Sequence, residues 1–300
     1  MSTVLPIVAA CQNDDPWADT SLHAFCIGDV QIGFVLPKVL QAVRRYLDEH
    51  RTDVMRVDSS NGKLSLVLAY NASKSDRTDF MADLAQWLRD TNQFADPLDG
   101  MCMRLTLIGW RNEQYAIYGR QSYDQASEIV FTLERAACAL FGLTTFGVHL
   151  TVGCYLDNSV AGGITAGDSP RASIVRECEE EAGLSGDQVE PYLTATGAIT
   201  YFYRTSQGWR QPEMQYTYDL ALPSDEIVLH PEDGEAESFE LLSVSTVIDK
   251  MHKNEFKPNC ALVLVDFLIR HGYITPETEA YYARILSTLH TDLRLPVSHS

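Results

Sequence analysis

Two periods of apolar and polar positions run along the chain, and each marks an element. His23 to Val35 (HAFCIGDVQIGFV) alternates about Gly28-Asp29, which predicts strand, turn and strand. Pro37 opens a predicted helix to about Glu49, with Val39, Leu40, Val43 and Leu47 on one face. Arg51 to Asn61 reads as a polar connector and Leu64 to Ala69 as a strand. Phe80, Leu84, Trp87 and Leu88 recur at helical spacing over 75–90. Leu105–Trp110 and Gln114–Tyr118 predict a hairpin across Arg111-Asn112-Glu113. Arg104, Arg111 and Trp110 read as turn and core positions rather than ligand contacts.

The second half continues with Ile129, Leu133, Ala136 and Leu140, a helical spacing over 123–140 that ends at Gly142. Thr144 to Tyr155 (TTFGVHLTVGCY) is β-branched and aromatic, hence a strand. Strands follow at Ala198–Tyr203, Glu213–Leu222 and Glu237–Leu242. Helices follow at Val244–Met251, from Pro258 to Gly272, and from Thr275 to about His290. The pattern divides the chain into a loose leader (1–20), an N-terminal α+β domain (21–122) and a second domain (123–295), with fraying expected from Pro296.

One stretch carries chemistry: Gly162 to Leu184, GGITAGDSPRASIVRECEEEAGL. A glycine loop leads into an acidic helix. Asp168 or Ser169 is the N-cap, Pro170 the first helical residue, and Gly183 the left-handed stop. Glu177, Glu180 and Glu181 fall at i, i+3 and i+4, about 5–6 Å apart at Cβ. Like charges on one face destabilise a helix mildly. A solvated acidic face is the simpler reading of EEE alone, but the loop, cap, arginine and helix stop around it favour a bound hard cation. Mg²⁺ takes oxygen ligands and bridges to substrate phosphates.

This stretch resembles a Nudix box, G-x5-E-x7-R-E-U-x-E-E-x-G-U with U aliphatic. Gly162, Arg176-Glu177, Glu180-Glu181 and Gly183-Leu184 fill its positions, while Asp168 stands in place of the first Glu and Cys178 in place of an aliphatic residue. The resemblance implies Glu177 and Glu181 as metal ligands, with Glu180 a third ligand or a base acting through water. It implies Arg176 as the residue that orients the carboxylates. The backbone at Gly162 or Gly163 is a further ligand position, since glycine lets the main chain approach closely. Mg²⁺ is the expected cofactor, with Mn²⁺ as its substitute. Glu235 is the expected general base from a later loop, with Glu213 second. Arg204, Arg210 and Lys257 are candidate phosphate contacts. Tyr201, Tyr203, Trp209 and Tyr216 are candidate stacking rings, Tyr216 read first as core; His149 reads as a core histidine.

Composition narrows this picture. A net charge of −18 argues against a nucleic-acid or anionic-membrane surface, and a phosphate substrate then needs a local cation. Seven scattered cysteines with no C-x-x-C suggest neither a disulfide frame nor a zinc site, and fit a reducing compartment, cytoplasm or an organelle. The start MSTVLPIVAACQNDDPW is a poor signal peptide, and no run reaches membrane-spanning length.

Beyond the box, ERAACALFGLTTFGVHLT, QPEMQYTYDL and FKPNCALVLVDFLIRHGYITPE resemble the Nudix branch related to thiamine pyrophosphokinases, as do IGDVQIGFVLPKVLQAV and GWRNEQYAIYG near the N-terminus. That implies a mixed α/β (α+β) chain: an N-terminal α+β domain before a Nudix α/β/α sandwich around a mixed sheet. In that branch a further strand stands between GVHLT and LDN. Here Tyr155 runs directly into Leu156, so about 15–20 residues, a strand and its loops, are missing. An irregular strand beside Cys154 is the expected consequence. The implied reaction is Mg²⁺-dependent hydrolysis of a small-molecule diphosphate, such as thiamine diphosphate, its oxidised analogues or 8-oxo-dGDP, to the monophosphate. A homodimer is compatible with this. The alternative is a catalytically impaired isoform that binds thiamine diphosphate or a nucleotide.

Overall fold

The computed structural model describes residues 2–60, 62–99, 109–120, 126–152, 158–222, 229–232, 238–240 and 242–297. The chain begins with α1 (Leu5–Cys11), followed by β1 (His23–Ile27), β2 (Val30–Val35) and α2 (Pro37–Glu49). Next come β3 (Met55–Ser60), β4 (Lys63–Leu68), α3 (Lys74–Asp90) and the short α4 (Ala95–Asp99). The first four strands form one sheet in the order β2-β1-β4-β3, with β1 and β4 parallel. Helices α2 and α3 bury Val39, Leu40, Val43, Met81, Leu84 and Leu88 in the core they share with Phe25, Leu66 and Leu68. The predicted strand–turn–strand and both helices are therefore present at their expected places.

A two-stranded arm follows: β5 (Gln114–Gly119) antiparallel to β6 (Glu128–Glu134), ending in α5 (Arg135–Cys138) and a 3-10 turn at Ala139–Phe141. The sequence reading of 123–140 as one helix is corrected here. Val130, Phe131 and Leu133 pack into the core from a strand, and only the last residues coil. Strand β5 takes β6 along one edge; the expected hairpin partner of Gln114–Tyr118 falls, over 105–108, outside the described residues, as does Arg104.

The second domain's sheet contains β7 (Thr145–Val152), β8 (Asn158–Gly163), β9 (Leu193–Arg204) and β10 (Arg210–Leu220) in the order β8-β7-β10-β9. It is mixed, with β7 and β10 parallel and the other pairs antiparallel. Helix α6 (Pro170–Ala182), followed by the short α7 (Gly186–Val189), covers one face through Ile174, Cys178 and Ala182 against Val148, Leu150 and Val160. After α8 (Val244–His252), α9 (Pro258–Arg270) covers the other face through Val263, Leu264 and Phe267 against Ile199 and Tyr201, and α10 (Tyr282–Leu289) adds Ile285 and Leu289. This is an α/β/α sandwich. Cys154 and the Tyr155–Leu156 junction, where a strand was expected to be missing, lie outside the described residues.

Four further readings change. The leader is not loose: Val4, Ile7, Val8 and Cys11 are buried against α9. Asp14 and Asp19 pair with the buried Arg210. The polar connector contains β3, an edge strand held by β4. No strand occurs at 238–240 or 242. The last helix starts at Tyr282, since Thr275–Thr278 closes a turn instead.

Candidate active site

The box helix α6 is built as its end signals predict. The Ser169 side chain accepts from Ala172 N–H at 3.1 Å, Pro170 opens the helix, and Gly183 ends it with φ 64°. Cys178, at the position where an aliphatic residue is usual, is fully buried and packs as one.

Arg176 is the hub. Its Nη1 lies 3.0 Å from Glu177 Oε1 and 3.2 Å from Glu180 Oε2. Its Nη2 lies 3.7 Å from Asp168 Oδ2 and makes no hydrogen bond, although it is buried. Asp168 is one methylene shorter than the Glu of the box pattern, and the gap is the result. Glu177 is only 13 % exposed, against 53 % for Glu180. Its carboxyl fills the space beside Gly162, where any Cβ would overlap it. Burial raises the Glu177 pKa; Arg176 lowers it, Glu180 and Glu113 raise it, and Arg135 lowers it. Glu181 accepts from Ala161 N–H at 3.0 Å, on the edge strand β8.

The structure thus brings Arg176, Glu177, Glu180, Glu181 and Gly162 together. Gly163 adjoins them, and the Tyr115 hydroxyl occupies the place its Cβ would take. Arg204 is not part of this group. Gly163 is level with Ile199 across the sheet, and Arg204 stands five residues farther along β9, about 17 Å at ordinary strand rise. There its main chain bonds the Asn13 side chain. Glu235 lies outside the described residues. Glu213 faces the other layer, accepting from Tyr201 Oη at 2.6 Å and Gln215 Nε2 at 2.6 Å. Arg210 is taken by Asp14 and Asp19. Lys257 is exposed at the start of α9. Trp209 is buried in the core of the first domain, between Phe94 and the Lys38 ammonium, with Nε1 bonded to Asp96. It is a docking residue, not a stacking ring. His149 is buried, and Tyr216 packs on the α6 layer.

Sequence reasoning missed three neighbours, all from the β5–β6 arm: Glu113, Tyr115 and Arg135. Thr165 of the glycine loop donates to Glu113 Oε1 at 3.3 Å, and Arg135 Nη1 lies 3.0 Å from Glu113 Oε2. No local spacing links these residues to the box, because strand pairing and domain docking bring them there.

The donors suit a hard divalent cation. They are carboxylate oxygens beside a glycine turn, and one of them, Glu177, is held out of water with its charge only partly offset by arginine. Among the described residues no three acidic, histidine or cysteine side chains are gathered closely enough to hold an ion. Glu180 leans on Arg176 and Glu181 on the β8 main chain instead. Among the same residues no helix is long and apolar enough to cross a membrane.

Residues 3–145 match a family described as a domain of unknown function, DUF4743, and residues 150–261 match the NUDIX domain. A Saccharomyces cerevisiae protein described as uncharacterized, YJR142W, is 32% identical over 311 residues, covering 92% of this chain and 85% of its own length. Nudix hydrolase 20, chloroplastic, of Arabidopsis thaliana is 32% identical over 282 residues, covering 85% of this chain and 72% of the relative. Among solved structures, a C. elegans Ap4A hydrolase binary complex is similar over 43% of this chain and 99% of its own, at 15% identity and a TM-score of 0.31. With a Nudix hydrolase matched over most of both chains and the box folded as loop and acidic helix, this chain belongs to the Nudix hydrolase family, hydrolases of diphosphate linkages.

Proposed function

We propose that the protein hydrolyses a small organic diphosphate to its monophosphate and phosphate with Mg²⁺, held by Glu177, Glu181 and Glu180. The observation that carries this reading is the placement of Glu177 and Glu181 against consecutive residues of β8, Gly162 and Ala161. Both carboxylates thereby meet the edge strand β8 from one helix face. The cation, when bound, neutralises charge on the phosphate oxygens and lowers the pKa of an attacking water. Arg176 positions Glu177 and Glu180 through its Nη1. Glu180, the more exposed of that pair, serves as the third ligand or, where Glu177 and Glu181 alone hold the cation, as the base that takes the proton of the attacking water. Water adds to one phosphorus, its bond to the bridging oxygen breaks, and that oxygen leaves with the other phosphorus, giving the monophosphate and phosphate.

Thiamine diphosphate and its oxidised analogues are the substrates the branch resemblance favours, with 8-oxo-dGDP as the nucleotide candidate. The described cysteines Cys11, Cys26, Cys138, Cys178 and Cys260 form no disulfide with one another; a reducing compartment, the cytoplasm or an organelle, is part of this proposal. Phosphate release from this panel with Mg²⁺ is the test. Glu181→Gln keeps an oxygen for Ala161 N–H, so it should fold, yet lose turnover by two or more orders of magnitude; ~10²-fold or more is usual when a charge-stabilising group is lost. Turnover indifferent to this substitution and to EDTA would sink the reading. Tight Mg²⁺-dependent binding without turnover would instead favour a binding module.

A further inference from the structure

The N-terminal domain meets the Nudix box at a small set of contacts. Tyr115 forms a β-bridge with Thr165, and Ala166 N–H donates to the Gln114 carbonyl at 2.8 Å. The Tyr115 hydroxyl lies over Gly163, in the place a Cβ there would take. Glu113 accepts from Thr165 on one oxygen and pairs with Arg135 on the other. Arg135 is fixed at the first position of α5, where its main-chain N–H donates to the Glu113 carbonyl at 2.9 Å. Its guanidinium stands 5.5 Å from the centre of the Tyr115 ring. The side chain remains 29 % exposed, so part of the fork is open.

Charge bookkeeping gives this arrangement meaning. A chain of net charge −18 repels a diphosphate, and five of its carboxylates stand in the box itself. Arg176 is engaged by Glu177 and Glu180, and Arg171 by Glu190. Arg210 and Arg270 are paired with aspartates elsewhere. Among the described residues, Arg135 stands beside the glycine loop and pairs with Glu113 through Nη1, with its other nitrogens left for a ligand. A planar guanidinium suits bidentate phosphate binding.

Resting on the diphosphatase reading above, we propose that the N-terminal domain completes the active site: Arg135 binds the diphosphate, the Tyr115 hydroxyl donates a second hydrogen bond, and Glu113 positions Arg135. The DUF4743 segment is then part of the substrate site rather than an appendage.

The test is binding of inorganic pyrophosphate with Mg²⁺ by calorimetry, beside KM and kcat for the best diphosphate of the panel. Arg135→Gln should weaken pyrophosphate binding and raise KM by about tenfold, the loss of one hydrogen bond to a charged group. Tyr115→Phe should weaken binding by a smaller factor. Glu113→Gln separates function from structure. A purely structural Glu113–Arg135 pair predicts equal thermal destabilisation from either substitution and unchanged pyrophosphate binding in both. The proposal predicts opposite effects, with Glu113→Gln binding pyrophosphate as tightly as the parent or tighter, because the amide oxygen still positions Arg135 while the competing charge is gone. Unchanged pyrophosphate affinity in folded Arg135→Gln overturns the proposal. If Glu181→Gln abolishes turnover in that same series, the diphosphatase reading stands without it. Should no panel diphosphate be hydrolysed, the calorimetric comparison still decides the role of Arg135.

Discussion

At the scale of single residues, the box turns on where one guanidinium finds its partners. The buried Nη2 of Arg176 stops 3.7 Å short of Asp168. Asp168→Glu adds the missing methylene and should close that gap, stabilising the fold by about 0.5–1.5 kcal/mol, a normal net hydrogen bond; thermal melting checks it, and an unchanged or lower midpoint counts against this account. Gly162 poses the opposite problem. Gly162→Ala would drive a methyl into the Glu177 carboxyl and should cost about 1–3 kcal/mol, as overpacking does. It should lower metal-dependent turnover as well, because Glu177 has to move. Denaturant unfolding and an Mg²⁺ titration report the two effects separately. The three glutamates and the arginine are legible in the sequence, since a helix fixes which residues three and four apart share a face. The unfilled Nη2 is not legible, because it depends on a fraction of an ångström between loop and helix.

At the scale of elements, the ends of the chain decide more than their composition suggests. Val4, Ile7, Val8 and Cys11 recur at helical spacing, and that signal is present in the sequence. What makes seven residues a stable helix is outside it: the apolar face of α9 and the Glu279 carboxylate. Glu279 accepts from Val4 N–H at 2.9 Å and from Thr3 Oγ1 at 2.7 Å. Glu279→Ala should therefore destabilise by about 1.5–3 kcal/mol, the range for hydrogen bonds to a charged group. It should also raise amide exchange across Leu5–Cys11 ahead of the rest of the chain. Exchange unchanged in that segment would show that apolar packing alone holds α1. The β5–β6 arm teaches the same lesson from the other side. Ile129, Leu133, Ala136 and Leu140 satisfy helical spacing, yet β5 offers a pairing edge that residues 128–134 take. A short apolar run fits either period, and the partner arbitrates. Trp209 was open between ligand and core for a similar reason. The tip of the β9–β10 hairpin inserts it between Phe94 and Lys38 of the first domain.

At the scale of the whole molecule, charged side chains tie the layers together. Asp219 on β10 accepts from Arg270 Nη1 at 2.8 Å and Nη2 at 3.0 Å, and His271 Nε2 lies 2.8 Å away, both at the end of α9. Burial alone would raise the Asp219 pKa, but the bonds from Arg270 and His271 outweigh it and hold the carboxyl below its ordinary 3.8. The sign follows from linkage. A carboxyl with a depressed folded pKa contributes stability above its unfolded pKa and loses it as pH falls through the folded value. Asp219→Asn should thus lower the melting temperature at pH 6–7, and the difference from the parent should shrink as pH drops below about 4. A difference that stays constant from pH 7 to pH 3 would remove Asp219 from the acid response. Glu213 runs the other way. Burial raises its pKa against the bonds from Tyr201 and Gln215, so its ionisation costs stability as pH rises above the unfolded pKa. Glu213→Gln should gain most at pH 8 and least near pH 4, by the same melts.

By itself the sequence determined whatever is set within a few residues of chain. That includes the capped acidic helix, the three carboxylates on its face, the glycine loop before it, and most of the strands and helices that alternate or recur cleanly. Turn geometry and the 3.6- and 2-residue periods act locally, so they can be read locally. Only the tertiary structure decided that Glu113, Tyr115 and Arg135 stand beside the box, that Arg204 stands far from it, and that Val4, Ile7, Val8 and Cys11 belong to the core. Those placements depend on which surfaces exclude water together and on which backbone edges remain to be paired. Such choices are made between segments more than a hundred residues apart, as when Glu279 caps the helix that begins at Leu5.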